Sequence, residues 1–259
     1  MGYLFNYSFI SMEAEQKKNK LLILIRHGER CDYGGAVPHF GKYDPELTEK
    51  GKQLAFETGK MLSKTLVSKY GYSKDSKINI STSPFIRTLQ TTRELIKGFQ
   101  SEKTFNVTST INVDCNLCEV CEFKQNYPKD FLSIIKQGED FKKEFEDFEL
   151  VLKNSYDILP TKDETYDDCG VRLKEFLKWK IDSIVDKEDS DVTIFISHAE
   201  PINQMNMVLG YPGPFGWPHI TYCKCVFYNI SKETKKVVED SANGMSNALS
   251  DAAEQSYKA

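Results

Sequence analysis

Arg26, His27 and Arg30 stand together in the segment Arg26-His27-Gly28-Glu29-Arg30. A second histidine, His198, sits in Ser197-His198-Ala199-Glu200. These residue types suit chemistry on a phosphate ester. The planar fork of arginine pairs two phosphate oxygens at once and stays charged. A neutral imidazole nitrogen can attack phosphorus when the ring is oriented and that nitrogen carries no proton. An acid must then protonate the leaving oxygen. The RHGER segment therefore offers a nucleophile and two phosphate donors. Gly28 is expected to let the backbone approach the phosphate closely.

The elements that must position these residues alternate between strand and helix. Residues 21–25, LLILI, form a continuous apolar run that reads as a strand buried on both faces, and it ends directly in Arg26-His27. Residues 192–196, VTIFI, read the same way and end in Ser197-His198. Between them, helical spacing of apolar residues predicts a helix from Leu47 to about Lys69, entered through Asp44-Pro45. A short strand follows over 78–81, then a helix opened by Ser83-Pro84, then a strand over 105–113. Residues 126–159, rich in Lys, Glu and Phe, read as an inserted helical cap rather than sheet. Thr161 and Glu164 have capping-box spacing before a helix that carries Val171, Leu173, Phe176, Leu177, Ile181 and Ile184. A short helix to Leu209, a Gly/Pro loop over 210–218 and a strand over 221–230 complete the pattern.

Repeated β-then-α units predict an α/β fold, a three-layer α/β/α sandwich with a mostly parallel central sheet and the small cap inserted at about 124–160. Ligands of such sheets sit outside the carboxyl ends of the strands. Both histidines lie there. The expected organisation is a flexible leader over 1–20, one domain over 21–238 and a polar tail over 239–259.

Composition narrows the classes. The 259 residues are 40% hydrophobic with a net charge of −4. That balance argues against a broad footprint for nucleic acid or anionic membrane. No apolar run approaches the roughly 20 residues of a membrane span. The 7 cysteines, an odd number in a chain large enough to fold without staples, suggest reduced thiols and a cytoplasmic location. Cys115, Cys118 and Cys121 form a C-x-x-C-x-x-C run, but no fourth ligand stands at metal-site spacing. They read as small packing residues, and no metal or cofactor is expected.

Five segments in order resemble the histidine phosphatase superfamily, also called phosphoglycerate mutase-like: LILIRHGER, DPELTEKG, STSPFIRTLQT, NLCEV and IFISHAEPI. The resemblance covers roughly residues 21–228. It implies that His27 is a nucleophile that becomes phosphohistidine. It implies that Arg26, Arg30 and Arg87 clamp the phosphate, and that His198 donates to a peripheral oxygen. Glu119 would be the general acid for the leaving group and then the base for water. Glu122, three residues on, could take that role if the loop is shifted. His39 and His219 have no motif around them. Glu200 stands where the family often has a small polar residue, and its charge would raise the pKa of His198.

The RHGER form and ITYCKC near the C-terminus are similar to the phosphatase branch of the suppressor-of-T-cell-receptor-signalling proteins and the ecdysteroid-phosphate phosphatases. That similarity implies a metal-independent phosphomonoester hydrolase. Its substrate would be a phosphorylated small molecule or of phosphotyrosine type, since the cap and the 210–218 loop are rich in aromatic residues. Two alternatives remain: a mutase that moves phosphate between hydroxyls of a glycerate, and a non-catalytic phospholigand-binding protein.

Overall fold

The computed structural model describes residues 19–39, 44–120, 139–153, 160, 164–186, 190–210 and 220–238. Strand β1 (Lys20–Arg26) is the centre of the molecule. Its side chains alternate between faces. Leu21, Ile23 and Ile25 enter one core with Leu62, Leu66, Leu89, Leu95, Ile96 and Phe99. Leu22 and Leu24 enter another with Leu173, Phe176, Leu177, Ile202 and Met205. A strand buried on both sides must read as an unbroken apolar run, and the LLILI segment does.

The elements follow as α1 (Glu49–Ser68), β2 (Ile78–Thr82), α2 (Ile86–Glu102), β3 (Thr110–Val113), α3 (Glu139–Glu144), β4 (Glu149–Leu152), α4 (Tyr166–Asp186), β5 (Val192–Ser197), α5 (Ala199–Val208), β6 (Cys225–Ile230) and β7 (Val237–Val238), with short 3-10 turns at Cys31–Gly34 and Cys115–Leu117. The sheet has seven strands in the order β4-β3-β2-β5-β1-β6-β7. The first five run parallel; β6 is antiparallel to β1, and β7 to β6. Helices α1 and α2 cover one face, α4 and α5 the other. This is the expected three-layer α/β arrangement.

Three local expectations change. Within the predicted helical cap, residues 149–152 are an edge strand, parallel to β3, and only 139–144 are helical among the described residues. The four-residue ELVL segment is too short to show a period against its Phe- and Lys-rich surroundings. Phe141 and Phe145 join the α1/α2 core, and Glu144 receives Arg93 Nη1 at 2.6 Å. The predicted strand over 105–113 shortens to 110–113. The capping box is also displaced. The backbone N–H of Thr165 donates to the Asp168 carboxylate and that of Asp168 to the Thr165 hydroxyl, while Glu164 is buried against Arg172. Thr161 lies outside the described residues, as do most of the cap, the leader to residue 18 and the tail from 239.

Helix α1 starts later than Asp44-Pro45. Thr48 is its N-cap and accepts from Gly51 N–H. Thr48 in turn is tied to Glu29 through both backbone and side chain. Gly28 and Gly51 then touch. A Cβ on Gly28 would stand 2.7 Å from the Gly51 carbonyl oxygen, and one on Gly51 would stand 2.6 Å from that of Glu29. Gly28 thus answers first to the helix packed against it, a closer constraint than the expected approach to phosphate.

Candidate active site

Parallel pairing lines up four strand ends. Arg26 pairs with Ser197, so His27 and His198 leave adjacent strands side by side. Thr82 pairs with Ile196 and Val113 on its two sides, which brings the start of α2 and the turn after β3 to the same edge. The sheet therefore collects Arg26, His27, Arg87, Glu119 and His198 from segments far apart in sequence.

His27 is 2% exposed. Its Nδ1 lies 2.7 Å from the Gly28 carbonyl oxygen. A carbonyl can only accept, so Nδ1 carries the proton and Nε2 keeps its lone pair. Burial, then the charges of Arg87 and Arg26, hold the imidazole well below its ordinary pKa, which keeps the ring neutral. The Gly28 N–H donates to the Thr91 hydroxyl at 3.0 Å, which pins the loop to α2.

His198 is fully buried and stacks edge-on to His27, with ring centroids 5.3 Å apart. Its Nε2 lies 2.8 Å from the Ser83 hydroxyl, and its Nδ1 lies 3.6 Å from the Glu119 carboxylate. The Phe85 ring closes its other side. Burial and then Arg87, His27, Arg30 and Arg26 hold His198 well below its ordinary pKa. This corrects the expectation that Glu200 raises it. Three arginines and loss of solvent outweigh one carboxylate, and Glu200 bonds instead to Gln204 at 2.9 Å.

The arginines differ in setting. Arg87, 3% exposed, lies over the Phe85 ring, 3.6 Å from Asp44 and 4.0 Å from Glu119. Arg26 lies over the Tyr222 ring at 4.3 Å and donates to the Ile220 carbonyl. Arg30 sits at the rim, held bidentately by Asp32 and lying over Tyr33 at 4.8 Å. Burial pushes the Glu119 carboxyl up from its ordinary value, against the opposing pull of Arg87. Glu122, His219 and Cys121 lie outside the described residues. His39 is exposed, and its N–H donates to the Glu46 carboxylate. Cys115 and Cys118 pack with Phe85 as small apolar groups, and no cluster able to hold a metal ion occurs among the described residues.

Sequence reasoning did not single out Ser83, Thr91, Asp44 or Tyr222. All four lie inside quoted segments, Tyr222 in ITYCKC, but nothing in their local spacing marks them as site residues. Asp44, 5% exposed, takes the Ile86 N–H on both oxygens and so caps α2 from a distant loop. Burial pushes its carboxyl up to about 7, despite Arg87. In the unfolded chain it titrates near its ordinary value of about 4. Between those values the unfolded state releases a proton that the native state keeps, so Asp44 subtracts stability as pH rises from about 4 to 7. Asp44→Asn is expected to flatten that part of the stability–pH curve, read from urea midpoints at several pH values.

Comparison with known proteins agrees with this geometry. Residues 22–240 match the family model of the histidine phosphatase superfamily (branch 1). No curated protein sequence matches the chain. Among solved structures, the ecdysone phosphate phosphatase of Bombyx mori, in complex with tungstate, is 18% identical with a TM-score of 0.55, over 85% of this chain and 92% of that one. A phosphoglycerate mutase from Bacillus anthracis is 15% identical with a TM-score of 0.53, over 90% and 98%. A mycobacterial glucosyl-3-phosphoglycerate phosphatase is 16% identical with a TM-score of 0.50, over 85% and 97%. At these identities the structures speak to the fold alone. With the family model spanning most of its length and the paired histidines at its sheet edge, the chain belongs to the histidine phosphatase superfamily, branch 1.

Proposed function

We propose that the protein hydrolyses phosphomonoesters through a phosphohistidine on His27. The observation that carries this is the Nδ1 hydrogen bond to Gly28 in a buried, neutral ring beside three arginines. It leaves Nε2 as a ready nucleophile. In the first step the Nε2 lone pair forms a bond to phosphorus and the bond to the leaving oxygen breaks. Glu119 gives its proton to that oxygen. Arg26, Arg30 and Arg87 hold the peripheral oxygens, with His198 donating from Nδ1 while the Ser83 hydroxyl faces Nε2. In the second step the Glu119 carboxylate takes a proton from water as its oxygen attacks phosphorus. The bond to Nε2 breaks, inorganic phosphate leaves, and both groups return to their starting forms.

Tyr222 and Tyr33 frame the rim. Tyr222 lies 5.9 Å from the His27 ring, and Tyr33 is 68% exposed. Two aromatic faces beside a phosphate pocket suit an aryl or bulky hydrophobic ester, including a phosphotyrosine type. The described cysteines, Cys31, Cys115, Cys118, Cys169, Cys223 and Cys225, are in no disulfide, which fits a cytoplasmic setting. Among the described residues no helix is long and apolar enough to cross a membrane.

The test is hydrolysis of p-nitrophenyl phosphate with EDTA present, with and without bisphosphoglycerate. Turnover without the bisphosphate, and competition when it is added, is the expected result. Activity that requires the bisphosphate would favour a mutase that moves phosphate between hydroxyls. A folded protein that binds phosphate and turns over neither would be a phospholigand-binding protein.

A further inference from the structure

Among the described residues the largest fully buried side chain is that of Arg172, on α4 and outside the phosphate pocket. It forms a fork-to-fork pair with Glu164, itself 3% exposed, with Arg172 Nη2 2.8 Å from Oε2 and Nε bonded to Oε1. A buried ion pair is a poor device for stability, because desolvation offsets most of its attraction. The pair leaves one guanidinium nitrogen over, and the structure shows where it goes. Arg172 Nη1 donates to the carbonyl oxygen of Asn116.

Asn116 lies in the turn that delivers Glu119. The next carbonyl, that of Leu117, accepts from the Ser197 hydroxyl at 2.7 Å. The Asp114 carboxylate accepts from the Asn116 N–H and amide, each at 3.0 Å. The Asp114 and Cys115 carbonyls accept from Leu117 and Cys118 N–H, each at 3.1 Å. Every carbonyl from 114 to 117 is therefore taken, two of them by buried donors from α4 and β5. Glu119 begins one residue beyond this clamped stretch. Its carboxyl must stand between His198 at 3.6 Å and Arg87 at 4.0 Å. The backbone of 114–118 leads directly into that position, and the Val120 N–H donates to the Glu119 carboxylate at 3.2 Å from the other side.

We propose that Arg172, aligned by Glu164, is a positioning residue for proton transfer to the leaving group: it fixes the 115–118 turn so that the Glu119 carboxyl meets the departing oxygen. This rests on the reading of Glu119 as the general acid. A misplacement of about 1 Å at a reacting group can cost on the order of a hundredfold, and here it would fall on one step alone. Esters that need a proton on the leaving oxygen suffer, while those with an acidic leaving group are spared.

The experiment compares kcat/KM for p-nitrophenyl phosphate and for an alkyl phosphate, such as phenethyl phosphate. The proteins are wild type, Arg172→Lys, the double variant Arg172→Met/Glu164→Leu, and Glu119→Gln. The double variant removes both charges, so no unpaired buried carboxylate remains to unfold it. Arg172→Lys keeps a charge beside Glu164 but lacks the fork needed to serve Glu164 and Asn116 together. Both are checked by circular dichroism and thermal melting. The expected result is a loss of about ten- to a hundredfold on the alkyl ester with only a few-fold loss on the aryl ester. Glu119→Gln should show the same selectivity. Parallel losses on both esters in the Arg172 variants, or no loss on either, would overturn the positioning role. If Glu119→Gln is selective while the folded Arg172 variants are not, the acid stands and the positioning role falls. If Glu119→Gln itself loses both esters equally, the acid assignment falls and takes the positioning role with it. Should the double variant fail to fold, Arg172→Lys decides alone.

Discussion

His27→Ala is expected to end turnover of p-nitrophenyl phosphate, with a loss of at least about ten-thousandfold in kcat, as for other covalent nucleophiles. The size follows from the absence of a substitute. His198, the nearest other imidazole among the described residues, has Nε2 engaged at 2.8 Å with Ser83 and is tucked edge-on against Phe85. The arginines cannot act as nucleophiles, since they never deprotonate in proteins. What remains in the variant is a cationic pocket that binds phosphate without forming a bond to it. The variant should therefore still bind tungstate or inorganic phosphate. The fold should survive as well. The substitution removes one hydrogen bond, to Gly28, worth about 1 kcal/mol, and Thr91 continues to hold the Gly28 N–H. Rapid-quench labelling with radioactive substrate should give an acid-labile, alkali-stable phosphoenzyme in the wild type and none in the variant. Retained turnover in a folded His27→Ala protein would remove the phosphohistidine mechanism.

The strand ends were legible in sequence because burial on two faces leaves a plain mark. Residues 21–25 are an unbroken apolar run and residues 192–196 one interrupted by Thr193 alone, and each stops at the residue before a site segment. Parallel pairing then makes His27 and His198 neighbours with no further information. Arg87 and Glu119 are different. A lone arginine in a first helical turn and a lone glutamate in a turn have no pattern of their own. Only their ordered place among five motifs marked them, and the β2 and β3 pairings show the geometry behind that order. Supporting residues stayed hidden because they serve contacts that no local period records. Asp44 reads locally as the start of α1 but caps α2, forty-two residues away in sequence. Glu164 reads as one half of a capping box but pairs inward with Arg172, and Thr165 with Asp168 does the capping. Each pair has the same spacing, and which one caps depends on how α4 docks. The strand over 149–152 was lost for a related reason: Leu150 and Val151 are half-buried and Glu149 and Leu152 exposed, so the four residues carry no period of two.

Glu119→Gln carries the second large effect, and its direction depends on the leaving group. On an alkyl phosphate the departing alkoxide is a strong base, so loss of the acid should cost about a hundred- to ten-thousandfold in kcat/KM. On p-nitrophenyl phosphate the leaving group needs little protonation, and the loss should be far smaller. The pH dependence follows from the setting of the carboxyl. Burial raises the Glu119 pKa, while Arg87 and Arg26 pull it back, so the two influences are opposed rather than additive. A phosphate dianion bound to those arginines neutralises their pull and leaves burial opposed by the Val120 N–H hydrogen bond, so the carboxyl shifts further up. The acid is therefore protonated over a wider range in the complex than in the free enzyme. For an alkyl ester, kcat/KM should fall as pH rises through the raised Glu119 value, because the free enzyme loses the proton it must donate. The kcat limb should lie at higher pH than the kcat/KM limb, because kcat reports the complex. Glu119→Gln removes the ionisation, so both limbs should disappear together from the alkyl-ester profile. A variant that keeps its alkaline limb would place the acid on another residue. Glu122 is the first to test, by the same substitution and the same pair of esters.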